Sequence, residues 1–346
     1  MAPLSVAVQP VLEEGIPGGH HCYTGIVDTE WGYENFPHGG YIIALICTAA
    51  TKARQHTDRL DIIHASTHFI SATKGGPYKI YVETIREGKS FHNVSAKFCQ
   101  DGAPKVVTHL IFGVLPLHPL FGGKADPQTL AIPDPLARRI PLSVHPGELS
   151  EDREISQAQF KNRMRWAFDP APLEYNRERY LEGESAEPDK ESPGGGEVRW
   201  GCWFDFVDED QKLDLPAICF LSDLFVRVPD LLPAAKQDGT WSMYSYTTLV
   251  LNVEFKCKFP YENPPKVYAP RSVGLYSTSR FMHGGLFDDR VEVWTAPAAI
   301  AEEDNMDRNW REEQVCLVAA NQISVAHPLG LKGKGSRKSQ KPVHKL

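Results

Sequence analysis

Pro37-His38-Gly39-Gly40 stands directly ahead of an almost unbroken apolar run, Tyr41-Ile42-Ile43-Ala44-Leu45-Ile46-Cys47-Thr48-Ala49-Ala50. Ala and Leu propagate helix well, so the run predicts a helix starting at the glycine pair. Amides at a helix N-terminus lack intrahelical partners and favour negative charge. Gly39, Gly40 and Tyr41 are therefore candidate donors for charge developing on a substrate oxygen. Glycine there lets a carbonyl approach the backbone closely. His38 either contacts that substrate or caps the turn.

Other chemistries find less support. His64 and His68 share one face of a strand, with no third ligand nearby, so no metal is expected. The seven cysteines (Cys22, Cys47, Cys99, Cys202, Cys219, Cys257, Cys316) never form a Cys-x-x-Cys pair, which fits reduced thiols inside a cell. Gly-x-Ser-x-Gly is absent, against an α/β-hydrolase. A net charge of -7, with no zinc-finger or P-loop spacing, argues against nucleic acid as partner. No cofactor is expected. The start Met1-Ala2-Pro3-Leu4-Ser5 lacks signal-peptide character and no run is long enough to span a bilayer, so a soluble, unsecreted protein is expected.

The elements that position the glycine pair follow in order. The helix is apolar on every face and too short to cross a membrane, so it must be buried all round. Four alternating runs come next, Ile62 to Ser71, Tyr78 to Glu87, Ser90 to Gln100 and Val106 to Leu115, joined by turns rich in Gly and Pro. A sheet curled around the helix and a flat α+β layer both fit this pattern. A strand at Tyr23 to Asp28 precedes the helix.

Proline recurs from Pro116 to about Asn162, as in a linker lying over the surface. Met164 to Phe168 reads as a strand and Glu182 to Gly196 as a mobile loop. The order of elements then repeats. Val198 to Val207 is a strand, and Asp214-Leu215-Pro216 starts a helix running through Ala217 to Arg227. The second set of strands is Tyr246 to Lys258, Arg271 to Phe281, Val291 to Thr295 and Glu313 to Val325, interrupted at Pro260 to Pro270 and Glu302 to Asp307. Helix then meander, twice, implies a duplicated unit. Gly330 to Leu346, with six Lys or Arg and no acid, reads as a disordered tail.

Phe36-Pro37-His38-Gly39-Gly40-Tyr41, with His64-Ala65-Ser66-Thr67-His68-Phe69 and the stretch Val82 to Phe91, resembles the double hotdog acyl-CoA thioesterases. The most specific part is Arg86-Glu87-Gly88-Lys89-Ser90-Phe91, close to the family's Arg-Asp-Gly-x-Ser-Phe. The likeness covers roughly residues 20 to 328. It implies an α+β double hotdog, two curled antiparallel sheets each around a central helix. The units would be an N-terminal hotdog at 1–130, a linker at 131–162, a C-terminal hotdog at 163–328 and a tail at 329–346.

The resemblance also implies a catalytic group from the second unit. Leu221-Ser222-Asp223-Leu224 matches the family's Ser-Asp, Thr248 matches the Thr opening the next strand, and Gln322 falls where the final strand's Gln is expected. Two stretches depart from the pattern. Leu249 to Lys256 stands where the family has Asp-His and later an aromatic followed by His-Arg, and Ile323-Ser324 replaces Glu-Gly. By this likeness Asp223 is the base that activates a water, set among Cys219, Phe220, Leu221, Leu224 and Phe225, while Thr248 and Gln322 orient it. His38, Gly39, Gly40 and Tyr41 would meet the substrate.

The implied function is hydrolysis of an acyl thioester to free acid and CoA. A hotdog hydratase or dehydratase, an enzyme releasing a chain from a carrier protein, and a non-catalytic acyl-binding scaffold are the alternatives. The expected partner is an acyl-CoA or acyl-carrier substrate. His344-Lys345-Leu346 resembles a degenerate peroxisomal address, which would add an import receptor as partner and place the protein in peroxisomes rather than cytoplasm. Hotdog sheets pair edge to edge, so assembly as a homo-oligomer is a further expectation, although two units in one chain can make that pair internally.

Overall fold

The computed structural model describes residues 2–14, 21–33, 36–124, 126–152, 158–185, 196–232, 244–258, 265, 267–303, 306 and 309–328. The first half contains α1 (Leu4–Ala7), β1 (Val11–Glu13), β2 (His21–Val27), β3 (Gly32–Tyr33), β4 (Phe36–Pro37), α2 (Gly39–Arg54), β5 (Asp61–Phe69), β6 (Gly76–Glu87), β7 (His92–Gln100) and β8 (Ala103–Gly113). The second contains β9 (Met164–Phe168), α3 (Pro170–Ser185), β10 (Val198–Phe206), α4 (Leu215–Leu221), α5 (Val228–Leu231), β11 (Tyr244–Phe255), β12 (Ser272–Ser279), β13 (Met282–His283), β14 (Leu286–Thr295) and β15 (Cys316–Pro328).

The expected pair of sheets is one continuous antiparallel sheet, in the order β1-β2-β6-β7-β8-β5-β11-β15-β14-β12-β10-β9, with β13 on β14. The halves join where β5 pairs β11, Ala65 opposite Val253 and Thr67 opposite Leu251. Pairing these two strands removes an exposed edge from each half. Among the described residues no helix is long and apolar enough to cross a membrane.

Helix α2 is buried along nearly its whole length, against β5, β6, β7 and α4. Burying Ile42, Ile43, Leu45 and Ile46 completely contributes on the order of 6–12 kcal/mol, comparable with the net stability of a whole domain. Packing therefore holds this helix, and its N-cap residue His38 makes no side-chain capping bond.

Several elements differ from expectation. The expected linker does not simply cross the surface: Ile140 and Leu142 are fully buried with Trp203, Tyr276 and Trp294 on the far side of the second half's sheet. Gly201 and Gly274 leave room for them, since a Cβ on Gly201 would lie 2.6 Å from Leu142. Strand β10 is consequently buried on both faces. The expected loop from Glu182 is helical through Ser185, as the end of α3, which starts where Asp169 Oδ1 accepts from the Ala171 N–H and Pro170 takes the first turn. Residues 186–195 and the tail lie outside the described residues, as do parts of the Pro260 to Pro270 and Glu302 to Asp307 stretches.

Candidate active site

The glycine pair meets the second half of the chain directly. Helix α4 begins as the sequence predicts, with Asp214 Oδ1 accepting from the Ala217 N–H at 2.9 Å and Pro216 in the first turn. It ends at Leu221, six residues earlier than expected. There the Ser222 hydroxyl donates to the Cys219 carbonyl at 2.7 Å, and the Asp223 and Leu224 amides turn back to Phe220 and Leu221 in three-residue steps. A side chain that bonds its own preceding turn competes with the helical ladder. Asp223 thus sits in a turn rather than on a helix.

Helix α4 crosses α2 at the glycines. A Cβ on Gly40 would lie 2.5 Å from the Phe220 carbonyl oxygen and 2.9 Å from its Cα, and one on Gly39 would lie 2.5 Å from Asp223 Oδ2. The glycines therefore make room for backbone and carboxylate of this chain. The Gly40 N–H, expected to face a substrate carbonyl, donates to Asp223 Oδ2 at 3.0 Å. Asp223 supplies from a distant part of the sequence the helix cap that His38 does not.

Asp223 is 3% exposed. Its Oδ1 accepts from Arg227 Nη2 at 3.2 Å, and His38 Nε2 is 3.8 Å from Oδ2. Burial holds the His38 imidazole below its ordinary range, outweighing the pull of Asp223, so the ring is neutral at pH 7. Its centroid lies 4.7 Å from that of Phe220 and 5.8 Å from that of Phe160. The side chain of Tyr41 turns away: its hydroxyl donates to the Ala7 carbonyl and accepts from the Asp28 N–H. Only the Tyr41 backbone belongs near the glycines.

Thr248 and Gln322 lie on neighbouring strands, and the Thr248 hydroxyl donates to Gln322 Oε1 at 3.3 Å. A bulge brings them together. Val250 pairs Ile323 while Thr248 pairs Ser324, leaving Leu249 unpaired and 38% exposed. Alternation counted back from buried Leu251 would put Leu249 inward and Thr248 outward. The extra residue reverses that and sets Thr248 on the face of Gln322 and Ser324.

No hydrogen bond joins Asp223 to Thr248 or Gln322; Arg227 stands between the two groups. Its Nη1 donates to Ser324 Oγ at 3.4 Å and lies 3.8 Å from Asp289 Oδ2. Asp289 is 1% exposed and directly opposite Gln322 in the β14–β15 register. Burial pushes its carboxyl up to about 8, with Arg227 opposing and Asp288 and Asp223 adding to the rise. Gln322 Nε2, Asp289 Oδ2 and His38 Nδ1 have no hydrogen-bond partner among the described residues.

Sequence reasoning missed Arg227 and Asp289. Arg227 had a signal in its four-residue spacing from Asp223. Asp289 follows Phe287 and precedes Val291 and Val293 at inward positions, but the expected strand began only at Val291, whereas β14 starts at Leu286. His64 is half-buried and His68 exposed on β5, and no cluster of three or more potential metal ligands occurs among the described residues.

Two family models match the chain, the acyl-CoA thioesterase N-terminal domain over residues 27–113 and the acyl-CoA thioesterase C-terminal domain over residues 148–299. Together they cover more than half of it. The second includes Asp223, Thr248 and Asp289 and ends before Gln322. No curated protein sequence matches. Among solved structures, a hot dog fold protein from Alicyclobacillus acidocaldarius superposes with a TM-score of 0.61 at 16% identity, over 94% of this chain and 97% of that one. An acyl-CoA thioesterase II, TesB2, from Mycobacterium marinum gives 0.57 at 14% identity, over 97% and 99%. The tesB protein of Mycobacterium avium subs paratuberculosis gives 0.55 at 14%, over 94% and 98%. At these identities the likeness establishes the hotdog fold, and the domain matches establish the lineage. The chain belongs to the acyl-CoA thioesterase family of thioester hydrolases.

Proposed function

We propose that the protein hydrolyses an acyl-CoA to free acid and CoA with a water activated by Asp223. The observation that carries this reading is the buried Asp223 carboxylate held between the Gly40 amide and the Arg227 guanidinium, where the N-terminus of α2 meets the second half of the chain. A carboxylate accepts about four hydrogen bonds, so two donors leave capacity for a water. That water loses a proton to Asp223 as its oxygen attacks the thioester carbon. The tetrahedral intermediate then expels the CoA thiolate, which takes the proton back from Asp223. No covalent intermediate forms.

Thr248 has a specific part. By donating to Gln322 Oε1 it fixes the amide so that Nε2 is presented as a donor, and that nitrogen has no partner among the described residues. Gln322 then holds the water or the carbonyl oxygen. The Gly39 and Tyr41 amides remain for the oxyanion, the Gly40 amide being held by Asp223. In this reading the chain is two hotdog units, 1–130 and 163–328, with the sheet curled around α2 in one and α4 in the other.

Product analysis in heavy-oxygen water tests the reaction. One labelled oxygen in the released acid, with one thiol per acid, is expected; hydrated acyl-CoA without free thiol would assign the fold to hydration instead. Label first appearing in Asp223 under single turnover would replace the activated water with a covalent intermediate. A second reading, a non-catalytic acyl binder, is favoured by the cap that Asp223 forms on α2. It requires acyl-CoA binding with no thiol release.

A further inference from the structure

The Arg227 guanidinium is shared among three groups. One nitrogen is on Asp223, the other reaches Ser324 and faces Asp289. Building on the reading of Asp223 as the base, we propose that Asp289 is a positioning residue for hydrolysis: its carboxyl sets, through Arg227, how firmly the guanidinium holds Asp223.

Arg227 is a single cation beside two buried carboxyl groups, and removing charge from water is costly unless it is balanced. Only one acid can be ionised with the site neutral. Asp223 has the stronger claim, with a hydrogen bond from Arg227 and another from the Gly40 amide, while Asp289 Oδ2 has no hydrogen-bond donor among the described residues and lies 3.8 Å from the guanidinium. Burial pushes Asp289 up to about 8, so at pH 7 it is mostly the neutral acid.

The groups around it are few. Arg227 and Asp223 face it from the segment between α4 and α5, and Asp288 neighbours it on its own strand. Asp230, on α5, also interacts with Arg227 and accepts from the Tyr246 hydroxyl. Strand β15 contributes neutral Gln322 and Ser324. Raising the pH ionises Asp289 and gives Arg227 a second carboxylate to serve. The guanidinium then moves toward β14 and loosens its hold on Asp223.

The test is the pH profile of thiol release for wild type, Asp289→Asn, Asp289→Ala and Asp223→Asn, with melting curves for each. The wild-type kcat should fall above about pH 8. Asp289→Asn, fixed in a neutral form, should lower kcat by about threefold at pH 7 but remove the fall, and Asp289→Ala should lower kcat by about tenfold with KM changed less than about twofold. A fall at the same pH in Asp289→Asn, or an unchanged kcat in Asp289→Ala, overturns the proposal. Should Asp289→Ala not fold, infrared difference spectra of wild type against Asp289→Asn decide: a protonated carboxyl band at pH 7 that disappears above pH 8 supports it, and its absence at pH 7 refutes it. If Asp223→Asn loses activity while the Asp289→Asn profile matches wild type, this inference alone fails. If Asp223→Asn is as active as wild type, the reading of Asp223 fails and takes this one with it.

Discussion

The crossing of α2 and α4 makes two neighbouring glycines respond differently to the same change. In Gly40→Ala the new Cβ meets backbone, 2.5 Å from the Phe220 carbonyl oxygen, 2.9 Å from Phe220 Cα and 3.0 Å from the Cys219 oxygen. Backbone within a packed helix cannot swing aside, so α4 must shift. Overpacking of this kind costs about 1–3 kcal/mol, and the better helix propensity of Ala returns at most about 1. A net loss near 1–2 kcal/mol in a chain of 346 residues corresponds to a fall in Tm of roughly 1–3 °C. In Gly39→Ala the nearest atom is instead the end of a side chain, Asp223 Oδ2 at 2.5 Å, with Phe69 Cζ at 3.3 Å. The carboxylate can yield, by about 0.9 Å to reach ordinary contact, and displacements of that order cost tenfold to about a hundredfold in rate. Differential scanning calorimetry and thiol release, run on both variants, separate the two effects. Gly40→Ala should lose mainly stability and Gly39→Ala mainly kcat. A Gly40→Ala protein that melts with wild type would refute the close crossing, and a fully active Gly39→Ala would detach the Asp223 carboxylate from the chemistry.

Two further outcomes follow from the site. Thr248→Val should lower kcat by about three- to tenfold, the worth of one hydrogen bond, and Thr248→Ser should restore most of it; equal rates in all three would remove Thr248 as the group orienting Gln322. Asp289 also links stability to pH. Its carboxyl titrates near 8 when folded against an ordinary 3.8, so between these values the folded chain keeps a proton that the unfolded chain has lost. Stability contributed by Asp289 is therefore present below about pH 4 and lost as pH rises to about 8, by on the order of several kcal/mol. Relative to wild type, Asp289→Asn should gain stability between pH 5 and pH 8 in urea titrations, and parallel curves would contradict the assignment.

Much of the framework was legible because local pattern decides it. The run after Gly40 has no polar face, and it is buried throughout. Alternation located most strands within about two residues, and Asp214 with Pro216 marked the start of α4. What the sequence hid depends on contacts far along the chain or on one extra residue. The pairing of β5 with β11 joins segments nearly two hundred residues apart and leaves no local trace. The bulge at Leu249 reverses which residue of β11 faces inward, a change that composition does not reveal. Asp288-Asp289 reads as turn chemistry when taken alone, and only the register opposite Gln322 identifies Asp289 as an inward acid. Ser222 looks like any serine in a helix until its hydroxyl is seen to end α4 by bonding Cys219. The acidic, proline-led sequence of α3 lacks an apolar stripe, and its start is set by Asp169.

Thiol release from a panel of short to long acyl-CoAs by the wild type and by Asp223→Asn, with folding verified in both, tests Asp223 as the general base. Asn keeps the shape of the side chain and removes its basicity. The wild type should hydrolyse at least one acyl-CoA, and the variant should lose about a hundredfold or more in kcat. A folded Asp223→Asn protein that turns over at the wild-type rate would contradict it.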